Sequence, residues 1–537
     1  MPNGIMLISP VSNYKDRRIS QPLGIASIAS ELRESGYDVS IIDWHYLANK
    51  HGLAKSLDMI EEDIERKKPF IIGCSYYDDT CIGSARIFCY AAEAGSHFIL
   101  GGHAATVRHD SLAKYLFKLA KKADPSPKVA IVRGEGEKTA KELADALYCG
   151  RDFHDIKGVT FYDGRVVVVN PDRELADLNK LHPPALDLLP PVKEYHELYY
   201  PIEESRGCVF DCSFCSIRGM YPYHRLKDPE NIRAEAKKGK ALGMSRIDLV
   251  GELVLLDKER ALEIADIMQG LGLEWRIDAH PSLILKRRDI LPLLKERGLV
   301  YVETGIESAT QSSLDVFNKH TTPRKNENAL KILKQNEIKR HIDIITFQPY
   351  MDMKDLKKNI YLIKNHLTEL YNSQNYPSNI ASGWVPNAGT PLFERASKDG
   401  LLKKVNGSHK VIYKDGSVAK VKKSFDYFSR KYLEEFQRRD DEMNEILRRE
   451  KEEGIDPVKI RKKHNRIAPL PYMVLILAYE CSMDGVKAEK YIDSLTTATF
   501  EAIDVGDLDY DLYDTYRNIE KKVRREKRRK LGKIAKT

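Results

Sequence analysis

Short apolar runs alternate with amphipathic stretches along the first 150 residues. The runs Ile5–Ser9, Val39–Asp43, Phe70–Ser75, His97–Gly101 and Val129–Arg133 have the length and β-branched content of buried strands. Between and after them, apolar positions recur with a helical period in Gly24–Ser35, Gly52–Lys67, Ile82–Ala94, Ser111–Lys122 and Glu137–Leu147. This alternation predicts an α/β fold with a doubly wound parallel sheet. Such sheets bind ligands at the carboxyl ends of their strands, where the strand order reverses. The loops from Ser9 to Gly24, Asp43-Trp44-His45, Gly101-Gly102-His103 and Arg133-Gly-Glu-Gly-Glu137 are expected at those ends.

Further on, Gly158–Tyr162 and Arg165–Asn170 flank Asp163-Gly164, the pattern of a hairpin with a two-residue primed turn. A proline-bearing connector follows from Leu178 to Pro191, stiff and unable to continue a helix. The βα alternation then resumes, with strands expected at Tyr199–Glu204, Arg246–Gly251, Glu274–Ala279, Leu299–Gly305, Lys339–Phe347 and Ile380–Val385. Six βα units suit a partial (β/α)6 barrel with its reacting groups at the carboxyl-end face. Residues from about 425 onward read as highly charged, solvated helix. The expected division is residues 1–155, a hairpin and linker over 156–195, a core over 196–424, and a helical extension over 425–537 with a basic tail.

A hydrophobic content of 42% and a charged content of 31% are those of a globular protein. The first residues lack the pattern of a signal peptide, and Met473–Tyr479 is too short to span a bilayer, so a cytoplasmic location is expected. The formal net charge of +8 is uneven: residues 521–537 carry +9 and the rest of the chain −1. The body is therefore not basic, and its charge does not indicate a global nucleic-acid-binding surface. The tail is either a solvated, frayed helix or a contact for RNA or anionic lipid.

The chemistry is concentrated in Glu204-Ser-Arg-Gly-Cys-Val-Phe-Asp-Cys-Ser-Phe-Cys215. Its C-x3-C-x2-C spacing lets three thiolates hold a [4Fe–4S] cluster and leave one iron without a protein ligand. A zinc site would want a fourth ligand, for which only His224 is near, and a disulfide would leave one cysteine over. Cys74, Cys81 and Cys89 read as small buried hydrophobes rather than as a second cluster site.

These residues resemble the radical S-adenosylmethionine (SAM) superfamily. The resemblance implies a cluster on Cys208, Cys212 and Cys215, SAM on its open iron, and an external electron donor of flavodoxin or ferredoxin type. It also implies reductive cleavage of SAM to a 5′-deoxyadenosyl radical, or use of SAM as a methyl donor. Phe214 matches the aromatic residue that packs near the adenine. Gly251 and Glu252 match the segment that hydrogen-bonds the SAM amino group, although the family's Gly-Gly-Glu-Pro is Gly-Glu-Leu here. Glu303-Thr-Gly-Ile-Glu-Ser308 resembles the segment beside the adenosine and nominates Gly305, Glu307 and Ser308; the run from Leu314 to Thr322 follows it as in the family. Arg276 and Asp278, on one face of the third strand, are candidates for the SAM carboxylate and ribose, or for a salt bridge within the barrel. Phe347-Gln-Pro-Tyr-Met-Asp352 replaces the family's usual loop after the fifth strand.

The front region resembles the cobalamin-binding domain found ahead of many radical SAM enzymes. The resemblance rests on Gln21-Pro-Leu-Gly-Ile-Ala26, Leu32-Arg-Glu-Ser-Gly36, Ile41-Ile-Asp43, Gly101-Gly-His103 and Val132-Arg-Gly-Glu-Gly-Glu137. It nominates Leu23, Gly24, Asp43, Gly101, Gly102, His103, Gly134 and Glu135 for cobalamin. The Asp-x-His-x-x-Gly motif that supplies a histidine to cobalt is missing, and Gly-x-Gly-x-x-Gly does not follow the first strand. The expectation is a cobalamin-dependent radical SAM enzyme that methylates, or otherwise transforms, an unactivated carbon of an unidentified substrate. A cobalamin-independent modifier of tRNA or lipid and a non-catalytic iron–sulfur module are the alternatives.

Overall fold

The structure is a computed structural model describing residues 4–11, 21–77, 80–122, 126–195, 199–251, 253–367, 383–405, 408–456, 469–504 and 510–534. The first sheet comprises β1 (Ile5–Ser9), β2 (Val39–Asp43), β3 (Ile71–Ser75), β4 (His97–Gly101), β5 (Val129–Val132), β6 (Val159–Tyr162) and β7 (Val167–Val169). The helices around it are α1 (Leu23–Glu34), α2 (Trp44–His51), α3 (Leu53–Lys67), α4 (Cys81–Glu93), α5 (His103–Ala120) and α6 (Glu137–Tyr148). Strand order is β2-β1-β3-β4-β5-β6-β7, parallel through β5. All five side chains of β1 are buried, as in a sheet covered on both faces. The order reverses beside β1, which opens a crevice above the carboxyl ends of β1 and β3.

Three details differ from expectation. The hairpin β6–β7 does not stand apart with the linker; it extends this sheet as antiparallel edge strands. Its turn is longer than two residues, because the Asp163 carboxylate accepts from the Arg165 and Val166 amides and draws both out of the ladder. Asp43-Trp44-His45 is not a loop: Asp43 caps α2 by accepting from the Tyr46 amide, so the helix starts at the strand's end. The proline connector is strapped to α1, with Ser30 donating to the Pro183 carbonyl and Gln21 to that of Pro190.

The second sheet contains β8 (Tyr200–Glu203), β11 (Arg246–Val250), β12 (Glu274–Asp278), β13 (Leu299–Glu307) and β14 (Lys339–Ile344), all parallel, in the order β14-β13-β12-β11-β8. Between β8 and β11 lie β9 (Ser205–Arg206), α7 (Ile217–Met220), β10 (Arg225–Leu226) and α8 (Pro229–Ala241); β9 and β10 pair as a small antiparallel ribbon. The later units carry α9 (Lys258–Leu271), α10 (Pro281–Lys286), α11 (Leu291–Glu296), α12 (Gln311–Val316), α13 (Pro323–Gln335) and α14 (Met353–Asn365). Of the expected sixth strand, residues 380–382 lie outside the described residues; Gly383 makes a single parallel bridge to Phe347, continuing the sheet's edge. Trp275, Ile247, Leu249, Ile277 and Val302 fill the space between this sheet and its helices.

The C-terminal part begins with α15 (Pro391–Lys398) and the hairpin β15 (Leu402–Val405) and β16 (Ser408–Val411). It continues as α16 (Gly416–Glu452), α17 (Leu470–Met483), α18 (Glu489–Asp504) and α19 (Leu512–Ile534). The nearly all-apolar α17 is wrapped by its neighbours and packs with α14 into one core. The basic terminal helix is not frayed: Ile519 and Val523 of α19 are buried in that core. Among the described residues, no helix is long and apolar enough to cross a membrane.

Candidate active site

The cysteine loop leaves the end of the β9 strand and is tied down from two sides. Ser213 donates from its amide to the Phe317 carbonyl at 2.8 Å and from its hydroxyl to that of Val316 at 2.7 Å. Its own carbonyl accepts from the Leu392 amide at 2.8 Å. Asp211 pairs with His320, and Phe210 stacks on His280 with ring centroids 4.0 Å apart. The loop is thus cast against the run from Leu314 to Thr322.

Cys208, Cys212 and Cys215 line one cavity with Phe214, Asp278, Gly305 and Glu307, so seven of the nominated residues come together. Cys208, Cys212 and Cys215 are free thiols, as are Cys74, Cys149, Cys481 and Cys89, the last exposed rather than buried as expected. Burial pushes the Cys212 thiol up to about 12, so it is protonated at neutral pH until a metal displaces the proton. Three thiols on one loop, facing a cavity with carboxylate and aromatic walls, fit a cluster with one open iron and a cationic ligand above it.

Other nominated residues stand elsewhere. Arg276 does not reach the cavity; its guanidinium pairs with Asp248 on the neighbouring strand at 2.5 Å and lies over the Tyr199 ring. Ser308 turns outward and donates to Asn359 at 2.9 Å, because β13 ends there and the next turn faces α14. Gly251 makes room for its neighbours: a Cβ there would stand 2.5 Å from the Glu204 carboxylate and 2.6 Å from the Ser205 hydroxyl. Glu252 lies outside the described residues.

The structure adds residues to the same cavity. Lys319 is buried and donates to Glu307 at 2.9 Å. Burial raises the Glu307 pKa and the lysine opposes that shift, so the two form a fixed charge pair beside Cys212. Lys319 sat inside the run already recognised, but nothing in its spacing said that it turns inward. Glu303 and Asp343 form the floor, with His341 against Asp343 at 3.2 Å. Burial, and then the Asp343 charge, push the Glu303 carboxyl up to about 7.

A second cavity opens above the carboxyl ends of β1, β3, β4 and β5. Gly24, Gly101, Gly102, Gly134 and Glu135 line its mouth, while Ile5, Leu7, Ile28, Ile71, Ile99 and Val132 wall a deep apolar slot under α1 and α6. At Gly24 and Gly134 open space lies where a Cβ would stand. A glycine mouth above an apolar slot fits a large flat cofactor with an apolar tail. Among the described residues no histidine lines it. Three nominated residues are not in its wall. Leu23 packs toward the second sheet's core, Asp43 caps α2 and accepts from the Tyr195 hydroxyl, and the His103 imidazole faces Gly219.

The two cavities share a wall. On the four-residue helix α7, Ile217 and Arg218 line the cysteine cavity, while Met220 and the following Tyr221 line the front one.

Comparisons with known proteins agree with this arrangement. Residues 202–362 match the model of the radical SAM superfamily, and residues 17–144 that of the B12 binding domain. The anaerobic magnesium-protoporphyrin IX monomethyl ester cyclase of Rubrivivax gelatinosus is 29% identical over 342 residues, covering 59% of this chain and 57% of the cyclase. An uncharacterized methyltransferase of Pyrococcus horikoshii is 28% identical over 353 residues, covering 62% of this chain and 71% of that protein. Among solved structures, the cobalamin-dependent S-adenosylmethionine radical enzyme OxsB superposes with a TM-score of 0.70 at 14% identity, covering 99% of this chain and 81% of OxsB. That likeness is one of fold. The chain thus carries a B12-binding domain in front of a radical SAM domain.

Proposed function

We propose that this protein is a cobalamin-dependent radical SAM enzyme that transfers a methyl group, or carries out related radical chemistry at a C–H or C–C bond, on an unidentified substrate in a reducing cytoplasm. The observation that carries the reading is the shared wall: a single turn of helix has the cysteine cavity on one side and the glycine-mouthed cavity on the other. When bound, the cluster supplies the electron that cleaves SAM and cobalamin a cobalt that carries a methyl group. The chain's own part is holding and shielding. Cys208, Cys212 and Cys215 would hold the cluster, and Phe210 and Phe214 exclude water around it. Glu307, Asp278 and Glu303 offer carboxylates to a cationic ligand, and Lys319 sets a fixed positive charge opposite a carboxylate. Gly24, Gly101, Gly102 and Gly134 would let the cofactor approach the backbone of the front domain. Val209, 53% exposed and next to Cys208, gives an external electron donor an apolar contact beside the cluster. The names of the relatives divide between a cyclase and a methyltransferase, and both reactions fall within this reading.

Lys521, Lys522, Arg525, Arg528 and Arg529 are exposed on α19, and we read them as a docking face for a polyanion such as RNA or an anionic membrane.

Anaerobic reconstitution with iron, sulfide, SAM, hydroxocobalamin and a strong reductant tests the function. The expected result is iron and sulfide in equal amounts, cobalt bands in the spectrum, and both 5′-deoxyadenosine and S-adenosylhomocysteine from SAM. A Cys212→Ala variant should lose the cluster absorbance and both products. Protein containing zinc and no sulfide would overturn the reading, and deoxyadenosine without cobalt uptake would remove cobalamin from it.

A further inference from the structure

The front cavity's mouth and the cysteine loop are joined by a buried group of charges. Glu135 lies in the turn between β5 and α6, flanked by Gly134 and Gly136 at the mouth, and Glu137 is the first residue of α6. Arg206 ends the strand from which the cysteine loop departs, two residues before Cys208. Its guanidinium donates to Glu135 at 3.0 Å, to Glu137 at 2.6 Å, and to Glu203 at 2.8 Å and 3.0 Å. Arg225, paired with Arg206 across the β9–β10 ribbon, donates to both oxygens of Glu135, at 2.5 and 3.2 Å. The Ala176 amide donates to Glu135 at 2.6 Å. The side chains of Arg206, Glu135 and Glu137 are 5%, 5% and 6% exposed.

Buried ions of this kind are costly to desolvate, and apolar side chains of equal volume often stabilise a fold as well or better. What ions add is geometry. A guanidinium is a rigid planar fork, and here its three nitrogens are shared among carboxylates from two domains. The Gly134-Glu135-Gly136 turn has little stiffness of its own, since glycine leaves the backbone free. Its place is therefore imposed from outside, by Arg206 and Arg225.

We propose that Arg206, gripped by Glu135 and Glu137, is a positioning residue that sets the distance and orientation between the two cofactor sites. This rests on the reading above that the cysteine loop holds a cluster and the front cavity cobalamin. Group transfer between sites on two domains demands sub-ångström placement, and a displacement of about 1 Å costs on the order of a hundredfold in rate.

The test uses the full chain, loaded anaerobically with cluster and hydroxocobalamin, in the wild type and in Arg206→Lys, Arg206→Met and Glu137→Gln variants. Iron, sulfide and cobalt contents are measured first. The reduced cluster and cobalt(II) are both paramagnetic, so their magnetic coupling in electron paramagnetic resonance reads the spacing without turnover. The expected result is one sharply defined coupling in the wild type and a broad or absent one in Arg206→Met, at unchanged cofactor contents. Arg206→Lys should fall between, because a point charge cannot hold three carboxylates in a plane. S-adenosylhomocysteine formation should drop with the coupling, about a hundredfold in Arg206→Met. If Arg206→Met does not fold, Glu137→Gln carries the test, since it keeps the side chain's shape and removes one charge of the grip. Wild-type coupling in whichever of these two variants carries both cofactors overturns the proposal while leaving the function intact. A wild-type chain that takes up no cobalt overturns the functional reading, and the clamp with it.

Discussion

His280 holds the cysteine loop through its ring rather than through a ligand bond. Its Nε2–H donates to the Lys319 carbonyl at 2.9 Å, its Nδ1 accepts from the Ser282 amide at 3.2 Å, and its face stacks on Phe210. This is the pattern of a neutral imidazole, since a proton on Nδ1 would oppose the Ser282 N–H. Burial, and then the nearby Lys319 charge, lower its pKa from 6.5 to about 4. The unfolded chain takes up a proton below about pH 6.5 and the folded one does not until about pH 4, so stability falls as pH drops through that window. The full effect is about 3 kcal/mol. Denaturant unfolding between pH 7 and 4 should show that decline, and a His280→Asn variant, which still caps α10, should flatten it. Parallel curves for the two proteins would refute the assignment. Residues of this kind were hard to read from the chain. That the three cysteines share one cavity was legible in their close spacing, whereas His280, Lys319 and Glu303 act through burial, which spacing does not report. For Arg276 alternation left two roles open, the SAM carboxylate or a salt bridge within the barrel, and the pairing with Asp248 on the next strand is the second.

At the scale of elements, strand and helix positions followed the apolar periodicity closely, because parallel strands are buried on both faces and leave an unbroken signal. Turns and caps were less legible, being decided by single hydrogen bonds such as those of Asp163 and Asp43. The β9–β10 ribbon gave no apolar signal, yet it aims the cysteine loop. It depends on Gly207, whose φ is 86° and whose Cβ, if present, would stand 2.4 Å from the Tyr223 carbonyl oxygen. Gly207→Ala should therefore cost about 1–2 kcal/mol from backbone strain alone, and more from the clash. The expected readout is a lower melting temperature with reduced iron per chain after reconstitution. Full iron loading at unchanged stability would show that the ribbon does not aim the loop.

At the scale of the molecule, the order of domains was legible because a proline-bearing connector separates two runs of βα alternation. The way they lock together was not, because the charges involved lie in different runs and meet only in the fold. The terminal helix makes the same point. Its composition announces a free basic tail, yet Val523 is 1% exposed and Lys527 pairs with Asp484 at 2.5 Å. Deleting residues 521–537 should thus remove about 1.5–3 kcal/mol of apolar burial as well as charge. Replacing Lys521, Lys522, Arg525, Arg528 and Arg529 by Glu should leave the melting temperature nearly unchanged while abolishing salt-sensitive binding to RNA or anionic vesicles. Equal melting temperatures for truncated and intact protein would show that the helix contributes nothing to the core.

The acids at the β5–α6 junction of the front domain find their countercharges on the neighbouring module, not within their own. Anyone recombining such modules, in nature or at the bench, inherits that dependence: a transplanted front half arrives with carboxylates that no longer have a host. The two arginines would have to travel with it, which makes the junction, rather than either half, the smallest piece that can be moved whole.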